Sequence, residues 1–219
     1  MNYAIFVSGN GGFSKVLYKN RHLIPNGVLS LIIADRDCLA YKYFKSNTTI
    51  PTYLHEYNNY NNKMMFEETI YERLQKHKID YIFLNYNKLI GPTLLNKYTN
   101  NIFNLHLSLL PLFKGFGSLE KAFHSDMLFY GASMHIVDQS IDGGPIIGQV
   151  CLPRDIVDDE KEFKNKIFKY TAVFFIDMIY KIINIGLTFK EDRVYFENVT
   201  YGTGLINPQL IMDINKIQF

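Results

Sequence analysis

The sequence predicts an α/β fold, a mostly parallel sheet with helices on both faces in the doubly wound manner. Two observations carry this: near-continuous apolar runs of strand length, and amphipathic helical segments alternating with them. The first run, residues 3–8 (YAIFVS), is closed by Gly9, and residues 14–19 continue as a helix. The second, residues 28–34 (VLSLIIA), leads through Asp35 into a helix over residues 38–45. Residues 51–54 form a short third strand. After an Asn/Tyr-rich loop at residues 57–62, a helix over residues 67–76 places Ile70 and Leu74 four apart. The next strand is residues 80–84 (DYIFL). In such sheets ligands bind beyond the carboxyl ends of the strands.

Beyond Asn101 polar groups enter the apolar runs, first in IFNLHLSLLP, which ends at Pro111. A helix follows over residues 119–125, and residues 134–137 (MHIV) and 145–151 (PIIGQVC) read as strands flanking the turn Asp142-Gly143-Gly144-Pro145. The longest helical pattern, residues 161–185, begins beside Asp158, Asp159 and Glu160 and stops at Gly186. Residues 187–189 and 193–196 flank Lys190-Glu191-Asp192 as a terminal hairpin. The expected organisation is a main domain over residues 1–186 and an extension over residues 187–219. Residues 193–219 carry enough apolar side chains for a homodimer contact, and packing within the chain accounts for them equally well.

Composition bounds the function. Of 219 residues, 47% are hydrophobic, 15% aromatic and 20% charged, which is globular and excludes disordered and fibrous classes. A net charge of +2, from 23 basic and 21 acidic side chains, gives no broad positive field. Nucleic acid and membrane surfaces are therefore not expected partners, and any anionic ligand is small and locally held. Cys38 and Cys151 form neither a disulfide framework nor a metal motif, which fits a reducing, cytoplasmic setting with no metal. The opening MNYAIFVSGNGG lacks a basic region ahead of its apolar run, so it does not read as a signal peptide. The apolar stretches at residues 172–176 and 178–185 are interrupted by Asp177, Lys181 and Asn184. They fall short of the ~20 apolar residues of a spanning helix.

Three places carry chemistry. Gly9, Asn10, Gly11 and Gly12 form a glycine-rich turn whose backbone N–H groups suit an anion, or which serves only as a tight strand-to-helix turn. The G-x-G-x-x-G spacing of dinucleotide sites is missing. In NLHLSLLP, period two puts Asn104, His106 and Ser108 on one side of a strand and Leu105, Leu107 and Leu109 on the other. An amide and an imidazole then face one way, unless His106 is a hydrogen-bonded core histidine. Asp142 stands at a glycine turn, where a carboxylate is commonly a hairpin device. Together, amide, imidazole and carboxylate are what is needed to stabilise an oxyanion, move a proton and orient the ring.

NLHLSLLP from Asn104, GASMHIV from Gly131 and DGGPIIGQ from Asp142, in that order and at those separations, resemble the folate-dependent formyltransferases. VSGNGG and Lys88-Leu89-Ile90-Gly91-Pro92 resemble in particular the glycinamide ribonucleotide branch, and the likeness spans residues 3–185. The resemblance implies a Rossmann-like formyltransferase fold and transfer of a formyl group from 10-formyltetrahydrofolate, as co-substrate and without metal, to a primary amine of a small molecule. It implies that Asn104 hydrogen-bonds the formyl oxygen, that His106 as imidazolium assists proton transfer, and that Asp142 orients it. The pterin would lie against Lys88, Leu89 and Ile90 and against backbone at Val137, Asp138, Gln139 and Ser140, while Gly9, Asn10, Gly11 and Gly12 would meet the acceptor. His135 is either a supporting group or a core histidine.

Departures from the purine pattern concern the acceptor. Gly12 and Phe13 replace the serine and asparagine that meet the substrate phosphate. Phe113-Lys114-Gly115-Phe116-Gly117 has a Lys-Gly closer to the Arg-Gly of relatives that formylate sugars and transfer RNA. Lys169-Tyr170-Thr171-Ala172 lacks the acidic residue that meets the ribonucleotide. These changes point to a nucleotide-linked amino sugar as acceptor, with Phe13, Phe113 and Phe116 either rings for stacking a base or sugar or, equally, core side chains. Glycinamide ribonucleotide is the second reading, and a folate-binding protein without catalysis is a reading of another class. Transfer-RNA formylation is disfavoured because no large basic domain follows.

Overall fold

The computed structural model describes residues 1–219 apart from Ile156, Asp158, Asp192 and Thr203, and only the backbone of Asn207 and Ile214. Asp158 at the start of the long helix and Asp192 in the hairpin turn thus lie outside the described residues. The chain divides into two compact units, Met1–Asn104 and Leu105–Phe219.

The first unit is the expected parallel alternation. Its strands are β1 (Asn2–Val7), β2 (Val28–Ala34), β3 (Thr52–Leu54), β4 (Tyr81–Asn85) and the start of β5 (Ile102–His106), interleaved with helices α1 (Gly12–Lys19), α2 (Leu39–Asn47), α3 (Lys63–Lys76) and α4 (Pro92–Lys97). They lie in the order β3-β2-β1-β4-β5, every pairing parallel. Ala4 to Val7 of β1 and Leu31 to Ala34 of β2 are wholly buried, as strands covered on both faces require. α3 starts four residues earlier than the apolar spacing suggests, because the Asn62 side chain caps it by accepting from Met65 N–H at 2.9 Å. The six-residue α4 is unanticipated: it is too short for a periodicity, and Pro92 at its first turn is its one local signal.

The second unit takes up α5 (Ser118–Phe123), the antiparallel pair β6 (Phe129–Ile136) and β7 (Ile146–Pro153), the 25-residue α6 (Glu160–Asn184), the hairpin β8 (Thr188–Lys190) and β9 (Arg193–Tyr195), and β10 (Ile206–Asn207). β6 begins five residues before the expected MHIV strand, and β10 joins the free edge of β7, at Val150 and Gln149. Asp159 and Glu162 close a capping box at the start of α6, and Gly186 follows its end at φ +84°. α6 packs on β6 and β7, and a Cβ on Gly148 would stand 2.8 Å from Met178 Sδ, so the missing side chain lets helix and strand approach closely.

The charges that interrupt the apolar stretches of α6 are wholly buried: Asp177 and Lys181 form an ion pair one turn apart. Both reach the C-terminal segment. Asp177 Oδ1 accepts from the N–H groups of Ile211 (2.9 Å) and Met212 (3.2 Å), and Lys181 Nζ donates to the Gln209 carbonyl at 2.6 Å. No helix among the described residues is long and apolar enough to cross a membrane.

Candidate active site

In the first unit the glycine turn leaves β1 at its carboxyl end. Gly9 and Gly11 take φ of +62° and +63°, and Gly11 is the N-cap of α1. A Cβ on Gly11 would fall 2.5 Å from Ala40 Cβ, so the turn is held both by its left-handed backbone and by contact with α2. Ser8 braces it from below: its Oγ donates to Asp35 Oδ1 at 2.8 Å and accepts from Asn87 N–H at 3.0 Å. Asn10 is exposed, whereas Phe13 is 8% exposed and belongs to the core. Of the two uses open to this ring, Phe13 takes the core one.

Lys88, Leu89 and Ile90 lie between β4 and α4. Leu89 is exposed, and Lys88 Nζ stands 5.7 Å from the centre of the Tyr57 ring. The loop is tied down by a residue the sequence reading passes over. Buried Glu67 of α3 accepts from the N–H of Gly91, in a very short hydrogen bond, and from that of Thr93 at 3.1 Å. Its only sequence signal is a carboxylate at the inward period of α3, next to Phe66.

β5 crosses from the first unit into the second and carries Asn104 and His106. Phe103 and Leu105 are buried at 1% and 6% exposure, and the two polar side chains, two positions apart, leave from one face. Ser108 lies beyond the strand and has another task. Its Oγ donates to the Leu112 carbonyl at 2.5 Å and its carbonyl accepts from Ser133 Oγ at 2.7 Å. Ser133 Oγ also accepts from Leu110 N–H and from Gln149 Nε2, each at 2.9 Å, so β6 and β7 shape the loop after β5.

Within the second unit the structure brings His106, Asp142 and His135 together. His106 Nδ1 is 3.4 Å from Asp142 Oδ2, and His135 Nε2 is 3.5 Å from Asp142 Oδ1. Gly115 N–H donates to Asp142 Oδ2 at 2.8 Å. His135, hydrogen-bonded to the carboxylate, holds the Asp142 carboxyl down to about 2, with help from the Gly115 N–H and the charge of His106 and against the cost of burial. His135 is thus a supporting group as well as a buried one. The second nitrogen of each ring meets a carbonyl: His106 Nε2 that of Phe113 at 2.9 Å, and His135 Nδ1 that of Ile136 at 3.0 Å. A neutral ring has one N–H for two such acceptors, whereas an imidazolium has two.

The turn that presents Asp142 is sterically demanding. Asp142 has φ +47°, and a Cβ on Gly144 would lie 2.0 Å from the Ile136 carbonyl oxygen. Asp138, Gln139 and Ser140 are exposed beside half-buried Val137, and Ser140 N–H donates to Asp138 Oδ1 at 2.8 Å. Among the described residues no group of three or more His, Cys, Asp or Glu side chains is placed to hold a metal ion.

An imidazole set against a half-buried carboxylate, in a fold of parallel strands alternating with helices, defines the class as an α/β enzyme fold with a titratable pair in its second unit. A family model described as formyl transferase matches residues 1–179, and the chain belongs to the formyl transferase family. It is 31% identical over 186 residues to phosphoribosylglycinamide formyltransferase of Bacillus subtilis, covering 84% of this chain and 95% of that protein. The phosphoribosylglycinamide formyltransferase structure from Bacillus halodurans superposes with a TM-score of 0.79 at 28% identity, covering 84% of this chain and 96% of the other. Glycinamide ribonucleotide transformylase 1 from Symbiobacterium toebii gives 0.83 at 24% identity over 90% and 93% of the two chains, a likeness of fold.

Proposed function

We propose that this protein transfers a formyl group from 10-formyltetrahydrofolate to the amine of glycinamide ribonucleotide. The observation that carries the transfer chemistry is the His106–Asp142 contact, with Asn104 two residues earlier on the same strand. The relatives favour the ribonucleotide over the amino sugar to which the altered residues point. Burial of Phe13 also removes one of the rings on which a sugar reading leans.

Asn104 donates its side-chain N–H to the formyl oxygen as the amine nitrogen bonds to the formyl carbon, a contribution of ~3 kcal/mol for one good donor. His106, as imidazolium, places positive charge beside that oxygen and holds a proton for the departing folate nitrogen. Asp142 fixes the ring through Nδ1. Nε2, which meets the Phe113 carbonyl in this structure, is the ring atom left to serve the substrates once that contact is exchanged. His135 and Gly115 keep the carboxylate ionised and aimed. Lys88, Leu89 and Ile90 and the backbone of Val137, Asp138, Gln139 and Ser140 would receive the pterin, and Gly9, Asn10, Gly11 and Gly12 the acceptor phosphate.

Mass-spectrometric detection of formyl transfer tests this directly, with glycinamide ribonucleotide run beside nucleotide-linked 3- and 4-amino sugars. Formylation of the ribonucleotide is expected. Transfer to a sugar alone would overturn the acceptor, and transfer to neither would overturn the activity.

A further inference from the structure

Glu67, in the first unit, is a buried titratable group that the proposed transfer chemistry does not use. At 2% exposure on α3 it gives one carboxylate oxygen to each of two backbone donors. Oε1 accepts from Gly91 N–H in a very short hydrogen bond, and Oε2 accepts from Thr93 N–H at 3.1 Å. Pro92 between them has no N–H, so Glu67 takes every backbone donor that the chain offers over residues 91–93. Gly91 is fitted to this contact. Its backbone is extended, at φ −103° and ψ −179°, a conformation open to any residue, so the turn itself does not call for glycine. A Cβ there, however, would overlap Glu67 Oε1 and stand 2.6 Å from Lys63 Cε. The missing side chain is what lets the backbone reach the carboxylate. The stretch held in this way runs back to Asn87, whose N–H donates to Ser8 Oγ at 3.0 Å. Between the two ties lie Lys88, Leu89 and Ile90, and among the described residues none is hydrogen-bonded to their backbone. The shape of this segment is therefore set from its two ends.

We infer that Glu67 is a positioning residue for the folate co-substrate: by holding Gly91 and Thr93 it keeps the loop over residues 88–90 in its binding shape before the ligand arrives. The assignment rests on the formyl-transfer reading above, which puts the pterin against Lys88, Leu89 and Ile90. Glu67 acts through the loop backbone and not by contact with a substrate. A loop that is ordered only at the moment of binding draws that cost from the binding energy, so loosening this tie weakens folate. The Ser8 tie at the other end, which also braces the glycine turn, stays in place.

The test compares wild type with Glu67→Gln, Gly91→Ala and the double variant. Glu67→Gln keeps the size of the side chain but turns an amide NH2 toward one of the two N–H donors, and Gly91→Ala pushes the intact carboxylate away. Calorimetry with a non-transferable folate analogue is expected to show about tenfold weaker binding in each single variant, the size of one hydrogen bond to a charged group. The double variant should bind no more weakly than the worse single one, because both changes remove the same contact. Affinity for glycinamide ribonucleotide should stay within about twofold, and in turnover KM for 10-formyltetrahydrofolate should rise while kcat stays within about threefold. In the free protein, amide exchange at Thr93 should quicken in all three variants while the β4 amides stay as slow as in wild type. Wild-type folate affinity in both single variants overturns the assignment, whatever the exchange shows. Equal weakening of folate and ribonucleotide, or additive losses from the two single changes, overturns it too. These outcomes leave the transfer reading intact, whereas wild-type protein that binds no folate analogue overturns both.

Discussion

The division of labour at the site is set by single atoms. Asp142 has one oxygen toward His106 and Gly115, the other toward His135. Because its pKa is depressed from an unfolded value near 3.9, the stability tied to its ionised form is fully present above that value and is lost as pH falls toward about 2. Carbon-detected NMR of the Asp142 carboxyl should therefore show no titration between pH 5 and 9, and any inflection of the rate in that window belongs to another group. Asn104→Ala and His106→Ala should each abolish measurable turnover and leave folate affinity within a few-fold, as read by steady-state assay and calorimetry. Substantial residual turnover in either would remove these residues from the chemistry. Asn104, His106 and Asp142 are legible in the sequence because polar groups at period two inside an apolar run, and an acid at a glycine turn, are locally anomalous. His135 and Glu67 are not, since each sits where helix or strand periodicity accepts a buried residue and only the folded chain supplies the partner.

At the level of elements, the strands read most clearly where they are buried on both faces. β1, β2 and β4 are continuous apolar runs, whereas α4 and β10 are too short to have a period and exist because Glu67 and the β7 edge receive them. α6 teaches the opposite lesson. Asp177 and Lys181 look like solvent-facing interruptions, yet they are the inward grip on the C-terminal segment, since a hydropathy pattern cannot distinguish an exposed charge from a buried pair. Asp177→Ala strands a buried ammonium and two backbone N–H groups and should cost ~3–5 kcal/mol in urea unfolding. Replacing both residues by leucine should be much milder; an equal cost would mean that the tail bonds, and not the uncompensated charge, dominate. Close approaches give a second element-scale contrast. Gly131→Ala would bring a Cβ within 1.8 Å of the Val150 carbonyl oxygen and should prevent β6 and β7 from pairing. Gly148→Ala meets chiefly the flexible Met178 side chain and should cost ~1–3 kcal/mol. Thermal melts of the two variants separate the cases.

At the scale of the whole molecule, the formyl transferase match and the structural likeness run through both units, so the fold that the apolar alternation predicts is the fold of the family. The acceptor is less legible, because the use of a ring such as Phe13, buried in the first turn of α1, is a tertiary fact that the sequence leaves open. The Asp177–Lys181 pair has a consequence for how the protein meets its surroundings. Both side chains are at 0% exposure, so mobile ions cannot approach them, while pairs such as Lys164–Glu160 stand about half in solvent. Raising sodium chloride from low to ~1 M, where the screening length shrinks to ~3 Å, silences the surface pairs and leaves the buried one at full strength. The anchorage of the C-terminal segment is thus indifferent to brine, and amide exchange at Ile211 and Met212 should be as slow in concentrated salt as in dilute buffer.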